Sequence, residues 1–177
     1  MPFNTLLLTC LQPGQTILED SNTKILLKGL QSNEVILVFG VDDQSHPHCK
    51  LRQFLWEQQK GQSLCDFIVF YAKDEQRVMC FVELKDNKKD FGKAVHQVIN
   101  TYDAFKRHLK FSYISKAFIA ALQGSPPTEH HEHQQNLNAI FRQGNYLYDG
   151  GHIDFLEFLR GTLNPKKDKF KKGNVRK

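Results

Sequence analysis

The residues best suited to chemistry in this 177-residue chain are Asp66, Glu83 and Lys85. They lie in two apolar runs, Cys65 to Ala72 and Val78 to Lys85, separated by a charged stretch of hairpin length, Lys73-Asp74-Glu75-Gln76-Arg77. With the turn centred between Asp74 and Glu75, the numbers of opposite residues in the antiparallel ladder sum to 149. That register sets Asp66 across from Glu83 on one face. Lys85, two residues past Glu83, falls on the same face about 7 Å along the strand. Two ionised carboxylates facing each other on interior strands repel, and their desolvation costs on the order of several kcal/mol. A hard divalent cation offsets both effects, because Mg2+ takes one or two protein carboxylates and completes its octahedron with waters and phosphate oxygens. A lysine beside a metal-bound water and a scissile phosphate can orient or deprotonate the nucleophile and offset developing charge. Such a set is suited to phosphodiester hydrolysis.

The elements that must hold these residues follow from periodicity. Both runs are apolar on both faces of the period-two pattern, which predicts interior strands covered above and below, hence a sheet with helices against it. Glu34 to Val41 reads as another strand from its length and β-branched content. From Asp90 onward, Phe91, Ala94, Val95, Val98, Ile99, Tyr102, Phe105 and Leu109 keep helical spacing along one apolar stripe, with Asp90 or Asn87 as its cap. Tyr113 to Leu122 reads as a strand, although its Ala-rich end could equally start a helix, Gln135 to Arg142 as a helix, Asp149-Gly150-Gly151 as a turn, and Ile153 to Leu159 as a last apolar piece. Residues 1 to 33 mix short apolar pieces with turn signals at Pro13-Gly14 and Ser21-Asn22. Asp42 to Gly61 begins as a polar loop, with a short helix near Leu51 to Gln58.

Asp66, then Glu83-Leu84-Lys85, then an amphipathic helix: this succession resembles the PD-(D/E)XK nuclease superfamily. The match covers Asp66 to Leu122, about a third of the chain, and Cys65 stands where the family name has proline. The resemblance implies an α/β fold of restriction-endonuclease-like type, a central mixed sheet flanked by helices. It implies that Asp66 and Glu83 bind Mg2+, with Mn2+ as a substitute, that the Leu84 carbonyl completes the metal shell, and that Lys85 helps activate water. Some branches carry a glutamine on the following helix, often with a tyrosine after it, and Gln97 and Tyr102 are available here. By helical-wheel arithmetic Gln97 lies at the edge of the packed face and Tyr102 near its centre. An acidic residue on an N-terminal helix is common in the family, and Glu19 and Glu57 are both candidates. The expected activity is a Mg2+-dependent nuclease acting on nucleic acid, DNA rather than RNA, and the resemblance allows a homodimer. The rival reading is a catalytically silent module on the same fold that binds nucleic acid or a partner.

The formal charge of +5 is unevenly placed. Eight basic residues and one acid lie from Arg160 onward, so the earlier part is slightly acidic and the basic pI says little about the folded surface. The expected organisation is one domain over 1–163 and a basic, disordered tail over 164–177. Apolar runs such as Val35-Ile36-Leu37-Val38-Phe39 are too short to span a bilayer, and the N-terminal residues lack a basic region before Leu6-Leu7-Leu8. Cys10, Cys49, Cys65 and Cys80 form no CxxC pair and read as reduced thiols of a cytoplasmic protein. His46, His48 and Cys49, and His130, His131 and His133, have zinc-ligand chemistry without the spacing of a closed site, and read as solvated loop histidines. A P-loop, a GxSxG elbow and a dinucleotide fingerprint are absent.

Overall fold

The elements of the computed structural model, in chain order, are α1 (Pro2–Thr9), β1 (Ile17–Asp20), β2 (Thr23–Leu26), β3 (Glu34–Gly40), β4 (Phe67–Lys73), β5 (Gln76–Asn87), α2 (Phe91–His108), β6 (Ile114–Gln123), α3 (His130–Phe141), β7 (Asn145–Tyr148) and α4 (Phe155–Arg160). It describes residues 2–42, 63–108, 112–123, 130–142, 144–148 and 154–163. The expected helix near Leu51 to Gln58, Glu57, the histidines at 46 and 48, Cys49, the turn at 149–151 and the basic tail lie outside the described residues.

Five strands form one mixed sheet in the order β3-β4-β5-β6-β7, so the two apolar runs are interior strands as their composition requires. β3, β4 and β5 run antiparallel in sequence, whereas β5-β6 and β6-β7 are parallel and are joined through α2 and α3. Parallel neighbours need such crossovers, because a tight turn can join only antiparallel strands. The charged stretch between β4 and β5 is shorter as a turn than its composition suggests. Both strands extend into it, leaving Asp74-Glu75 as a two-residue connection with Asp74 at a φ of 50°. Aspartate is among the few side chains that tolerate this region. The ladder pairs Phe67 with Val82, and one step further along the same register Asp66 meets Glu83.

Each face of the sheet is covered differently. Ile68, Phe70, Met79 and Phe81 point into a core shared with Leu6 of α1, with Phe91, Val95, Val98 and Phe105 of α2, and with Leu137 and Phe141 of α3. Tyr102 belongs to this layer, edge-on to Phe81 at 5.7 Å and 4.9 Å from the Phe141 ring. On the opposite face Phe67, Val69, Cys80, Val82 and Leu84 meet Leu18, Ile25 and Leu27 around the β1-β2 hairpin, together with Phe155, Leu156, Phe158 and Leu159 of α4. The second cover is therefore a small two-stranded sheet plus one short helix, where the strand composition alone suggests helices on both sides.

Several boundaries differ from the sequence reading. Of the two cap candidates it is Asn87 that acts, ahead of α2: its side chain accepts the Lys89 N–H at 3.0 Å and opens a 3-10 turn over Lys88–Asp90. The His-rich segment forms the first turns of α3 instead of a loop, and His130 packs against the Phe91 ring at 5.8 Å. β7 is four residues long with two strand-favouring tyrosines, and it pairs parallel with the edge that β6 offers. Cys65 and Cys80 are buried free thiols, and Cys10 is buried as well. Among the described residues no helix is long and apolar enough to cross a membrane.

Candidate active site

Period-two alternation through Phe81 brings Glu83 and Lys85 to the face that carries α2, and alternation through Ile68 brings Asp66 to the same face. The β4-β5 ladder ends at the Phe67 and Val82 pair, so beyond it side chains replace the missing backbone bonds. The Asp66 N–H donates to Glu83 Oε2 at 3.0 Å, and Asp66 Oδ2 accepts the Leu84 N–H at 2.7 Å. Because a strand residue directs its N–H and C=O to the same edge, the Leu84 carbonyl shares the edge that faces Asp66. The opposed carboxylates, the intervening carbonyl and the lysine inferred from the turn register thus stand together.

Lys85 Nζ forms an ion pair with Glu83 Oε1, whose side chain is fully buried. That oxygen has no hydrogen bond of ordinary geometry, so the ammonium is its sole compensation among the described residues. The electrostatics register the strain of this arrangement. Burial pushes the Glu83 carboxyl up to about 8, and the neighbouring Asp66 charge adds to the rise despite Lys85. Burial likewise lifts Asp66 to about 6, against the opposing pull of the Leu84 N–H and Lys85. Burial works against the Lys85 ammonium, yet Glu83 and Asp66 together hold its pKa above the ordinary lysine value. One lysine therefore does not neutralise a fully buried carboxylate and its half-buried neighbour. A second positive charge beside them would relieve both burial and repulsion, which is what a cation with hard oxygen ligands supplies.

The donor set present fits such an ion only in part from side chains. Asp66 and Glu83 are two carboxylates on one edge, and among the described residues no cluster of three or more His, Cys, Asp or Glu side chains is close enough to hold a metal. Mg2+ suits a site of this kind, since it keeps several waters and uses one or two carboxylates. Its Lewis acidity would polarise a phosphoryl oxygen and make a bound water more acidic.

Of the remaining sequence candidates, Gln97 is buried on α2 and donates from Nε2 to the Leu64 carbonyl at 2.8 Å, two residues before Asp66. It therefore touches the segment that carries the aspartate. Glu19 is paired across the hairpin with Lys24 at 2.6 Å, both about half exposed. The acids whose charge is felt at Asp66 are instead Asp20, at the end of β1, and Asp42, just after β3. Asp20 reaches this neighbourhood because the hairpin tip is bonded to the end of β5. Thr23 Oγ1 donates to the Lys85 carbonyl at 2.8 Å, and Asn22 donates to Asp86 through its N–H and its amide, both at 3.0 Å. The Ser21-Asn22 turn signal marks the tip, but nothing local to it identifies its partner 64 residues away. Set against family models, curated proteins and solved structures, the chain matches none, so this site stands on its own geometry.

Proposed function

We propose that this chain is a Mg2+-dependent nuclease of the restriction-endonuclease-like, PD-(D/E)XK type, hydrolysing phosphodiester bonds in DNA. The observation that carries the reading is the facing pair Asp66 and Glu83 at the open end of the β4-β5 ladder, a half-buried and a fully buried carboxylate with one ammonium, Lys85, paired to them among the described residues. In this reading Asp66, Glu83 and the Leu84 carbonyl hold the ion. Lys85, 15% exposed at its side chain, is poised between Glu83 and solvent and orients the attacking water and a phosphate oxygen. The β1-β2 tip closes the same end of β5 and brings the Asp20 charge near. Lys89 and Lys93 are exposed at the start of α2, within eight residues of Lys85, and offer contacts for a phosphate backbone.

The direct test is cation binding. Calorimetric titration of the purified protein with Mn2+ should show one site, absent in Asp66→Asn and Glu83→Gln, and a crystal soaked in Mn2+ should place the ion between Asp66 and Glu83. Cleavage of single- and double-stranded DNA should require Mg2+ or Mn2+ and stop in EDTA. A wild-type protein that binds neither ion at these residues would remove the nuclease reading.

The raised carboxyls also set a pH dependence. Both folded-state values, about 6 and about 8, lie above the ordinary 3.8 and 4.5. Their contribution to stability is thus complete below the ordinary values and is lost as pH climbs through 6 and then 8. Without divalent ions, the melting temperature should fall by several degrees between about pH 5 and pH 9. Millimolar Mg2+ should recover most of that loss at the alkaline end and almost none at the acid end, where protonated carboxyls bind no cation. An ion-independent melting profile across this range would contradict the assignment.

A further inference from the structure

The segment that delivers Asp66 is held from α2 by two side chains one turn apart. Gln97 Nε2 donates to the Leu64 carbonyl at 2.8 Å, and Thr101 Oγ1 accepts the Cys65 N–H at 2.9 Å. The Leu64 C=O and the Cys65 N–H are the two polar ends of a single peptide group. Thr101 is fully buried, and its hydroxyl proton goes to the Gln97 carbonyl at 2.7 Å, which orients its lone pairs toward the Cys65 N–H. Gln97 Oε1 is buried and bonds to nothing among the described residues, while the amide nitrogen is committed to Leu64. The donor half of this amide is therefore the half that bonds to the Asp66 segment.

The main chain is fixed on the other side of Asp66 as well. Its carbonyl accepts the Val41 N–H at 2.9 Å and its N–H donates to Glu83 Oε2 at 3.0 Å. The Leu64-Cys65 peptide is thus held by α2, the next one, Cys65-Asp66, by Glu83, and the Asp66 carbonyl by Val41, so three successive planar peptide groups are fixed around Asp66. Oδ2 then falls on the Leu84 N–H at 2.7 Å. We propose that Thr101 and Gln97 form a peptide clamp on Leu64-Cys65 that positions Asp66 against Leu84 and Glu83 and so presets the cation site. Thr101 is a positioning residue in this scheme, and its link to the cation rests on the nuclease reading above. Gln97 acts on the same peptide and is a positioning residue too, rather than a group that meets substrate.

Thr101→Val keeps the shape and removes both hydrogen bonds, Thr101→Ser keeps both, and Gln97→Met releases the other end of the same peptide. Amide hydrogen exchange, followed by NMR on the metal-free protein, reads the clamp without any ion. In Thr101→Val the Leu84 and Asp66 amides should exchange about tenfold faster, as expected for a buried bond left unmade. Amides toward the far end of the ladder, such as Tyr71 and Val78, should keep their rates, and Thr101→Ser should restore Leu84. If Thr101→Val does not fold, Gln97→Met carries the same measurement. In the second arm, the Mn2+ concentration for half-saturation should rise about tenfold in Thr101→Val and Gln97→Met and stay near wild type in Thr101→Ser. Unchanged Leu84 exchange, or acceleration spread equally through the sheet, overturns the clamp. A wild-type protein that binds no Mn2+ overturns the cation assignment, while the exchange arm still decides the clamp.

Discussion

Asp66→Asn should lower metal-dependent DNA cleavage by roughly 10³-fold or more while raising the melting temperature of the metal-free protein near pH 8. The two signs come from the same carboxylate. Asparagine has the volume of aspartate, and its oxygen can still accept the Leu84 N–H that Asp66 Oδ2 now takes. What disappears is the charge: Asp66 is lifted to about 6 chiefly by burial, and it helps to lift Glu83. Removing it lets Glu83 pair with Lys85 without a competing anion, so the empty site becomes less costly. Cation binding instead loses one of two carboxylates. Lys85→Ala should cost comparable activity but lower the metal-free melting temperature, because it leaves the fully buried Glu83 side chain with no counter-charge. Equal losses of activity with opposite changes in stability would separate chemistry from misfolding. Retention of more than about a tenth of wild-type cleavage in Asp66→Asn would place the reaction elsewhere, and residual cleavage that fails to co-elute with the protein on gel filtration would identify a contaminating nuclease.

What was legible in the sequence is what depends on local period and on one turn. The Asp66 and Glu83 register follows from where two apolar runs fold back at Asp74-Glu75, and it holds because a one-residue slip would turn every side chain of β5 to the wrong face. The stripe from Phe91 to Phe105 identified α2 for the same kind of reason. Contacts joining distant segments left no such trace. The Thr23 bond to the Lys85 carbonyl spans 62 residues, and the Asn22 bonds to Asp86 span 64, so Glu19 and its neighbour Asp20 look alike until the hairpin is docked. Thr101 is a polar residue on the buried side of α2, an irregularity in the apolar stripe that has meaning only once Cys65 lies beneath it. Histidines at 130, 131 and 133 were misread as loop residues because their polarity masks a helix whose buried anchors, Leu137 and Phe141, come later.

Arg160 shows the cost of reading charge by position along the chain. Counted with the basic excess toward the C-terminus, it is in fact the last residue of α4 and is bound to Glu34, 126 residues earlier. Its Nε and Nη2 donate to the two Glu34 oxygens at 2.7 Å each, and Nη2 also donates to the Gly29 carbonyl at 2.8 Å. Tyr71 OH and the Gln31 N–H, both at 2.8 Å, and the Lys73 ammonium at 3.6 Å also serve this carboxylate, whose side chain is fully buried. The paired guanidinium holds the Glu34 carboxyl far below the ordinary range, against the opposing effect of burial. Lys116 secures the same helix, donating to the Phe158 and Leu159 carbonyls at 2.5 and 3.0 Å. Arg160→Ala should therefore destabilise the fold by about 3 kcal/mol, since it leaves a buried carboxylate with the more distant Lys73 ammonium in place of two parallel charge-assisted bonds, and lower the melting temperature by roughly 6–12 °C. Arg160→Lys should recover only part of this, because an ammonium cannot match the two parallel bonds. The sign with pH is opposite to that of the Asp66 and Glu83 pair. A depressed carboxyl contributes above its ordinary value of 4.5 and loses that contribution as pH falls below it, toward the folded value. The gap between wild type and Arg160→Ala should accordingly be full at pH 7 and shrink by about 1.4 kcal/mol per pH unit below the ordinary value. Denaturation curves at pH 7 and at about pH 3.5 measure it, and an equal gap at both would show that Arg160 stabilises α4 by packing alone.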